Sequence, residues 1–319
     1  MPRKKDKLMP YAIEDGVTQS LLTTFLACRR RCQYVLEGWE SISPRDPLIF
    51  GSFFHGLMEH LYNHASHGEA APRFVDYETT WHKECGHLIH DPQKFEAFMA
   101  MGEALYEEYI EYWEDDFERD FFEVEGVFDV VFATFRLRGR RDGVFNVKPK
   151  GKKNKRRSPR PWLLETKTAS GIDASTLDLR LNFDFQNLFY ITAFEIETGE
   201  KLAGVLYNVV VKPQIKVGTK ANPDIQSYAA SVKEAIKSDP EKYFHRFEVV
   251  YSEATKKRFR EDLEIILWEF YEWVTGKGRT FHNPEACVTR WSCEFLSACA
   301  SGGNMAGYTQ TRKMFRELD

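Results

Sequence analysis

The stretch WLLETKTAS, residues 162–170, sets a carboxylate and an amine two positions apart inside an apolar run. Successive side chains of a strand alternate faces, so Glu165 and Lys167 point one way while Leu164 and Thr166 point the other. A solvated strand face with an ion pair has this pattern, and so does half of a metal-dependent active site. Neighbouring residues favour the second. GRRDGVF places Asp142 beside a glycine at a strand. If that strand pairs with the one holding Glu165, the two carboxylates converge, and they repel unless a divalent cation lies between them. Hard oxygen donors suit Mg²⁺ or Mn²⁺. A lysine beside such an ion can position an attacking water or stabilise charge developing on a phosphate. Downstream, QNLFY sets Gln186 and Tyr190 four residues apart, on one face of a helix. Upstream, FGSFFHGLMEH does the same for Gly51 and His55, with Glu59 one turn further on.

Taken together, Gly-x-x-Asp, a strand with Glu-x-Lys, a helix with Gln-x-x-x-Tyr and an earlier helix with Gly-x-x-x-His resemble the RecB-type PD-(D/E)XK nucleases. The resemblance runs from about residue 18 to about residue 300. It implies a restriction-endonuclease-like α/β fold and hydrolysis of DNA phosphodiesters, as an exonuclease on single-stranded or ended DNA. It further implies that His55, Asp142, Glu165 and the Thr166 carbonyl hold the metal. Lys167 would assist the water, and Gln186 and Tyr190 would steady the site and touch the strand being cut. Glu125, in FEVEGVF, matches an acidic position upstream of the family's Gly-x-x-Asp; a structural role fits it equally.

The chain has 319 residues, 43% of them hydrophobic, enough for a substantial core. No apolar run of about 18 residues occurs, which excludes a helical membrane span. The basic N-terminal MPRKKDKLMP is followed by no apolar segment, so a cytoplasmic setting, bacterial or phage-like, is expected. A net charge of −4 argues against a general polyanion binder. Charge is nevertheless concentrated. KPKGKKNKRRSPR, residues 148–160, contains no acid, and it offers Lys152, Lys153, Arg156 and Arg157 as phosphate contacts, alongside Arg29 and Arg30.

Element by element, the first 120 residues read as amphipathic helices, beginning with a single helix over TQSLLTTFLACRRRCQYVLEGW capped by Thr18. From residue 121 the texture becomes β-branched and aromatic: two or three strands, the strand WLLETKT, a helix stopping at Gly199, and further strands and helices up to Gly276. The expected organisation is a tail (1–17), a helical region (18–120), a nuclease core (121–250) and a C-terminal helix with a cysteine-rich segment (251–319) that closes on the first helix.

Six cysteines in a reducing compartment are poor disulfide candidates. Cys287, Cys293 and Cys299 cluster near the C-terminus, and Cys28 and Cys32 lie one helical turn apart. Four thiolates suit an iron–sulfur or a zinc site. This arrangement resembles the iron–sulfur members of the RecB-type family, the CRISPR adaptation nucleases and AddB-type nuclease domains. It implies a 4Fe–4S cluster on Cys28, Cys287, Cys293 and Cys299 that staples the chain's two ends, with Zn²⁺ as the alternative. Here the C-terminal spacing is C-x₅-C-x₅-C, and Arg29 stands where those proteins have a proline. No G-x-x-x-x-G-K-[ST] occurs, so unwinding would need a helicase, recombination or integration partner in trans. The competing reading is a non-catalytic nuclease-fold module that binds nucleic acid or scaffolds a partner and holds a structural zinc.

Overall fold

The computed structural model describes residues 11–42, 46–114, 116, 119–146, 160–288, 292–310, 314–315 and 318. Thr18 caps the first helix as expected, its side chain accepting the Leu21 N–H at 3.2 Å. The single helix anticipated there is two: α1 (Gln19–Ala27) and α2 (Arg29–Leu36), parted where Cys28 adopts an extended conformation. A short strand β1 (Trp39–Ser41) follows, then helices α3 (Asp46–Ser66), α4 (Phe74–Cys85) and α5 (Pro92–Tyr112). Phe53 sits at the centre of an aromatic cluster with Phe74, Trp81 and Phe98, which packs α3, α4 and α5 together.

The β-rich segment is a hairpin of two long strands, β2 (Asp120–Phe132) and β3 (Phe135–Asn146). Its turn residues, Ala133 and Thr134, both have positive φ (45° and 72°), the backbone twist that two-residue hairpins favour. Then come β4 (Pro161–Ala169), α6 (Ala174–Leu181), α7 (Phe185–Thr198), β5 (Gly204–Val211), α8 (Ile225–Ser238), β6 (Phe244–Val249), α9 (Glu253–Val274), α10 (Leu296–Ala300) and β7 (Tyr308–Gln310). Helix α7 ends at Gly199 in the left-handed conformation, where the sequence stops it. Helix α6 was not anticipated. Its signal is local: Asp173 accepts the N–H groups of Ser175 and Thr176 and starts a new turn.

The main sheet has the order β2-β3-β4-β5-β6 and is mixed, with β4 and β5 the parallel pair. Helices α6 and α7 make the crossover that a parallel pair requires. Strand β5 is buried along its whole length, as a strand covered on both faces must be. A Cβ added at Gly51 would meet Thr168 Oγ1 at 3.6 Å, so α3 lies over the Thr166 and Thr168 face. Gln186 bonds Glu165 and Lys167, so α7 lies over the other. One continuous buried core runs from Tyr11 to Leu318 and includes the N-terminal helices and α9. A separate two-stranded sheet pairs β1 with β7. No helix among the described residues is long and apolar enough to cross a membrane.

Candidate active site

The antiparallel register of β3 and β4 runs Phe145↔Trp162, Val144↔Leu163, Gly143↔Leu164. One step further brings Asp142 beside Glu165. There, regular pairing gives way to a side-chain bond: Asp142 Oδ2 accepts the Thr166 N–H at 2.6 Å. Asp142 Oδ1 faces His55 Nδ1 of α3 at 3.5 Å. Burial opposes ionisation of Asp142, but His55, Lys167 and the Thr166 N–H outweigh it and hold the carboxyl below the usual range. Burial likewise opposes charge on His55, and the Asp142 carboxylate reverses that and raises its pKa.

Glu165, next to Asp142 across the two strands, is fully buried. Its Oε1 pairs with Lys167 Nζ and accepts from Gln186 Nε2 at 2.8 Å. Lys167 Nζ in turn donates to Gln186 Oε1 at 3.0 Å, so one amide grips both ends of the Glu-x-Lys pair. Asp184 fixes that amide's backbone by capping α7, its Oδ1 accepting the Asn187 N–H at 2.8 Å. Burial pushes Glu165 up to about 7, with Asp142 adding to the rise and Lys167 opposing it. Lys167 is desolvated too, yet Glu165 and Asp142 keep it firmly charged. Tyr190, one turn beyond Gln186 on the same helix, is buried beside this group, and burial and the Glu165 charge raise its hydroxyl's pKa. Tyr207, opposite Glu165 in β5, borders the same group; burial raises its hydroxyl to about 12.

The ligand atoms of His55, Glu125 and Asp142 all lie within 4.8 Å of one another. Glu125 thus joins the site more closely than its sequence position alone indicated. Its backbone is left-handed at φ 48°, a costly conformation for a non-glycine residue, found where surrounding structure imposes it. Its carboxylate pairs with Arg140 Nε at 2.7 Å, while burial and Asp142 push its pKa up to about 8. The residues fit a hard divalent cation. Two acids and an imidazole converge, and in the neighbouring Glu165 the buried Oε2 has no hydrogen-bond partner among the described residues. A buried carboxylate oxygen without a partner carries a desolvation cost that a bound cation offsets.

Beside Asp142, Arg141 is almost fully buried on the far face of β3. It bonds Glu123 at 2.6 and 3.0 Å and Glu197 at 2.6 Å, with Phe128 and Phe194 against its guanidinium. Asp142 therefore sits on a strand anchored one residue away.

The cysteines gather at the break between α1 and α2. Asn283 bridges two of them, its N–H reaching Cys28 Sγ at 3.4 Å and its carbonyl accepting from Cys287 Sγ at 3.6 Å. Cys299 is an electrostatic neighbour of Cys28 and Cys287, and Cys293 of Cys299. Cys32 points into the core, where burial and Cys28 raise its pKa, and Cys85 lies on α4. All six are free thiols.

Arg29 is occupied structurally, paired with Glu269 at 3.3 Å and stacked between Phe25 and Phe281. Arg30 donates to Gln33 at 3.0 Å. Phe295 is core, stacked on Tyr308 and tilted against Tyr34. Lys152, Lys153, Arg156 and Arg157 lie outside the described residues.

A search of curated proteins returned no match to this chain. A family model does match: that of the PD-(D/E)XK nuclease superfamily, over residues 17–300, a span that takes in every motif residue above. With that match over most of its length, and with a mixed five-stranded sheet carrying Asp142, Glu165 and Lys167 at adjoining strand positions, the chain belongs to the PD-(D/E)XK nuclease superfamily.

Proposed function

We propose that the protein is a Mg²⁺- or Mn²⁺-dependent deoxyribonuclease, of RecB type, acting as an exonuclease on single-stranded or ended DNA. The observation that carries this reading is the buried Glu165. One of its oxygens is held by Lys167 and Gln186, and the other has no partner among the described residues, beside Asp142. His55, Glu125, Asp142 and Glu165, with the Thr166 carbonyl, would hold the cation. Bound there, the ion supplies Lewis acidity and lowers the pKa of water. Lys167, kept charged by two carboxylates, offers a fixed positive charge where the phosphate gains negative charge. Gln186 keeps Glu165 and Lys167 in one plane of approach, and Tyr190 backs Gln186. Hydrolysis of end-labelled single-stranded DNA in Mn²⁺ tests the reading: degradation by wild type that Lys167→Ala abolishes supports it. An inactive wild type across Mg²⁺ and Mn²⁺ overturns it.

The cysteine corner supports a 4Fe–4S cluster on Cys28, Cys287, Cys293 and Cys299. Asn283 ties Cys28 to Cys287, and Cys299 lies beside both, a set of soft thiolates of the kind that iron–sulfur clusters and zinc take. Without a phosphate-binding loop of its own, the enzyme would act on strands opened by a helicase, recombination or integration partner.

A further inference from the structure

A second polar assembly lies on the other face of the sheet, away from Lys167. Its centre is the buried pair Arg246 on β6 and Asp116, joined by two hydrogen bonds, with Arg119 adding a third at 2.8 Å. Trp113 stacks on the Arg246 guanidinium at 3.9 Å. From this centre two arms reach the site. Tyr62 Oη donates to Asp116 Oδ2 at 2.9 Å and meets Tyr109 Oη at 2.6 Å. Tyr62 stands two turns beyond His55 on α3, about 10 Å along the same helical stripe. The second arm runs through β5. Arg246 donates to Asn208 Oδ1 at 3.3 Å and to Tyr109 Oη at 2.8 Å. Asn208 Nδ2 donates to Tyr109 Oη at 2.9 Å and to Thr166 Oγ1 at 3.4 Å. Thr166 is the residue whose N–H holds Asp142.

Tyr62, Tyr109, Asp116, Thr166 and Asn208 are all buried. A buried ion pair is a poor source of net stability, since desolvation offsets its attraction. What this one does is geometric. The metal-binding side chains come from two bodies, His55 from a helix and Asp142 and Glu165 from the sheet. We propose that the Arg246–Asp116 pair is a positioning hub that fixes α3 against β4, and so sets His55 relative to Asp142. The inference rests on the metal-binding reading of the site.

Two variants each remove a single hydroxyl from one arm, Tyr62→Phe and Thr166→Val. Mn²⁺ affinity, measured by electron paramagnetic resonance without DNA, should weaken about tenfold in both, the low end of what outer-shell changes cost. In turnover, kcat should fall while KM for DNA stays put. The conservative Arg246→Lys should retain more Mn²⁺ affinity than Arg246→Gln. A lowered melting temperature with unchanged Mn²⁺ affinity in both hydroxyl variants would overturn the hub and leave the metal reading standing. A wild type with no Mn²⁺ binding that Asp142→Asn can remove would overturn both.

Discussion

Asp142 and Thr166 are joined by a hydrogen bond from backbone to side chain at 2.6 Å, where regular pairing of β3 and β4 gives out. The residue that leaves the ladder takes up the next strand's N–H with its carboxylate. The same carboxylate thus ends a sheet register with one oxygen and faces His55 with the other.

The Glu-x-Lys pair should be indispensable. Lys167→Ala and Glu165→Gln should each lower the rate of DNA hydrolysis by about 10²–10⁴-fold, the range for loss of a positioned charge or proton-transfer group. Gln186→Leu should cost less, since it loosens Glu165 and Lys167 without removing either. Single-turnover rates would check the order.

Cation binding should stabilise the fold. A ligand at one hundred times its Kd adds about 2.7 kcal/mol, so Mn²⁺ should raise the melting temperature and EDTA should return it. Asp142→Asn should abolish the shift. Because the fold holds the Asp142 carboxyl below its usual range, its charge is stabilising, and the variant should be less stable than wild type without metal.

The pH dependence has a definite sign. Burial raises Glu165 to about 7 and Glu125 to about 8, from an ordinary 4.5. Between those values the folded metal-free protein binds more protons than the unfolded chain. The stability these two carboxyls contribute is therefore full below 4.5 and is lost as pH rises through 7 to 8. Metal binding displaces the same protons, so Mn²⁺ affinity should climb from pH 6 to 8 and level off above. A flat calorimetric affinity over that interval would contradict the assignment.

Among the cysteines, Cys28→Ser should purify without iron or visible absorption, while Cys32→Ser should keep both. The structure turns Cys28 toward Asn283, Cys287 and Cys299 and buries Cys32 in the core.

Arg141→Ala should cost about 3 kcal/mol in urea unfolding. That is the low end for breaking a buried pair, because its partners Glu123 and Glu197 retain some solvent.

What could be read from residues alone follows from periodicity. Glu165 and Lys167 share a strand face, Gln186 and Tyr190 share a helix face, and Gly199 ends that helix; each is a relation between near neighbours. What stayed hidden depends on distant partners. The helix over residues 19–36 breaks at Cys28, where Asn283 bonds the Ala27 carbonyl and the Cys28 sulfur. Glu125's strained backbone answers to Asp142 and Arg140 across the hairpin. Arg246 and Asp116 are 130 residues apart, and no local pattern links a surface-type Arg to a buried tyrosine pair. The local signal for α6 was present in Asp173, two and three residues before the N–H groups it accepts.

The pairing of β1 with β7, Trp39 to Gln310, has a mechanical meaning. Every residue of the proposed metal site lies between those two strands, so the nuclease body is a loop closed by a small clasp. The entropy of closing a loop rises only slowly with its length, so the clasp can be short. Opened, by proteolysis near residue 305 or by loss of the cysteines beside it, it frees the flank that covers the α1–α2 break. The sheet keeps its own hydrogen bonds, and damage at the clasp should loosen the cysteine corner well before it reaches Asp142.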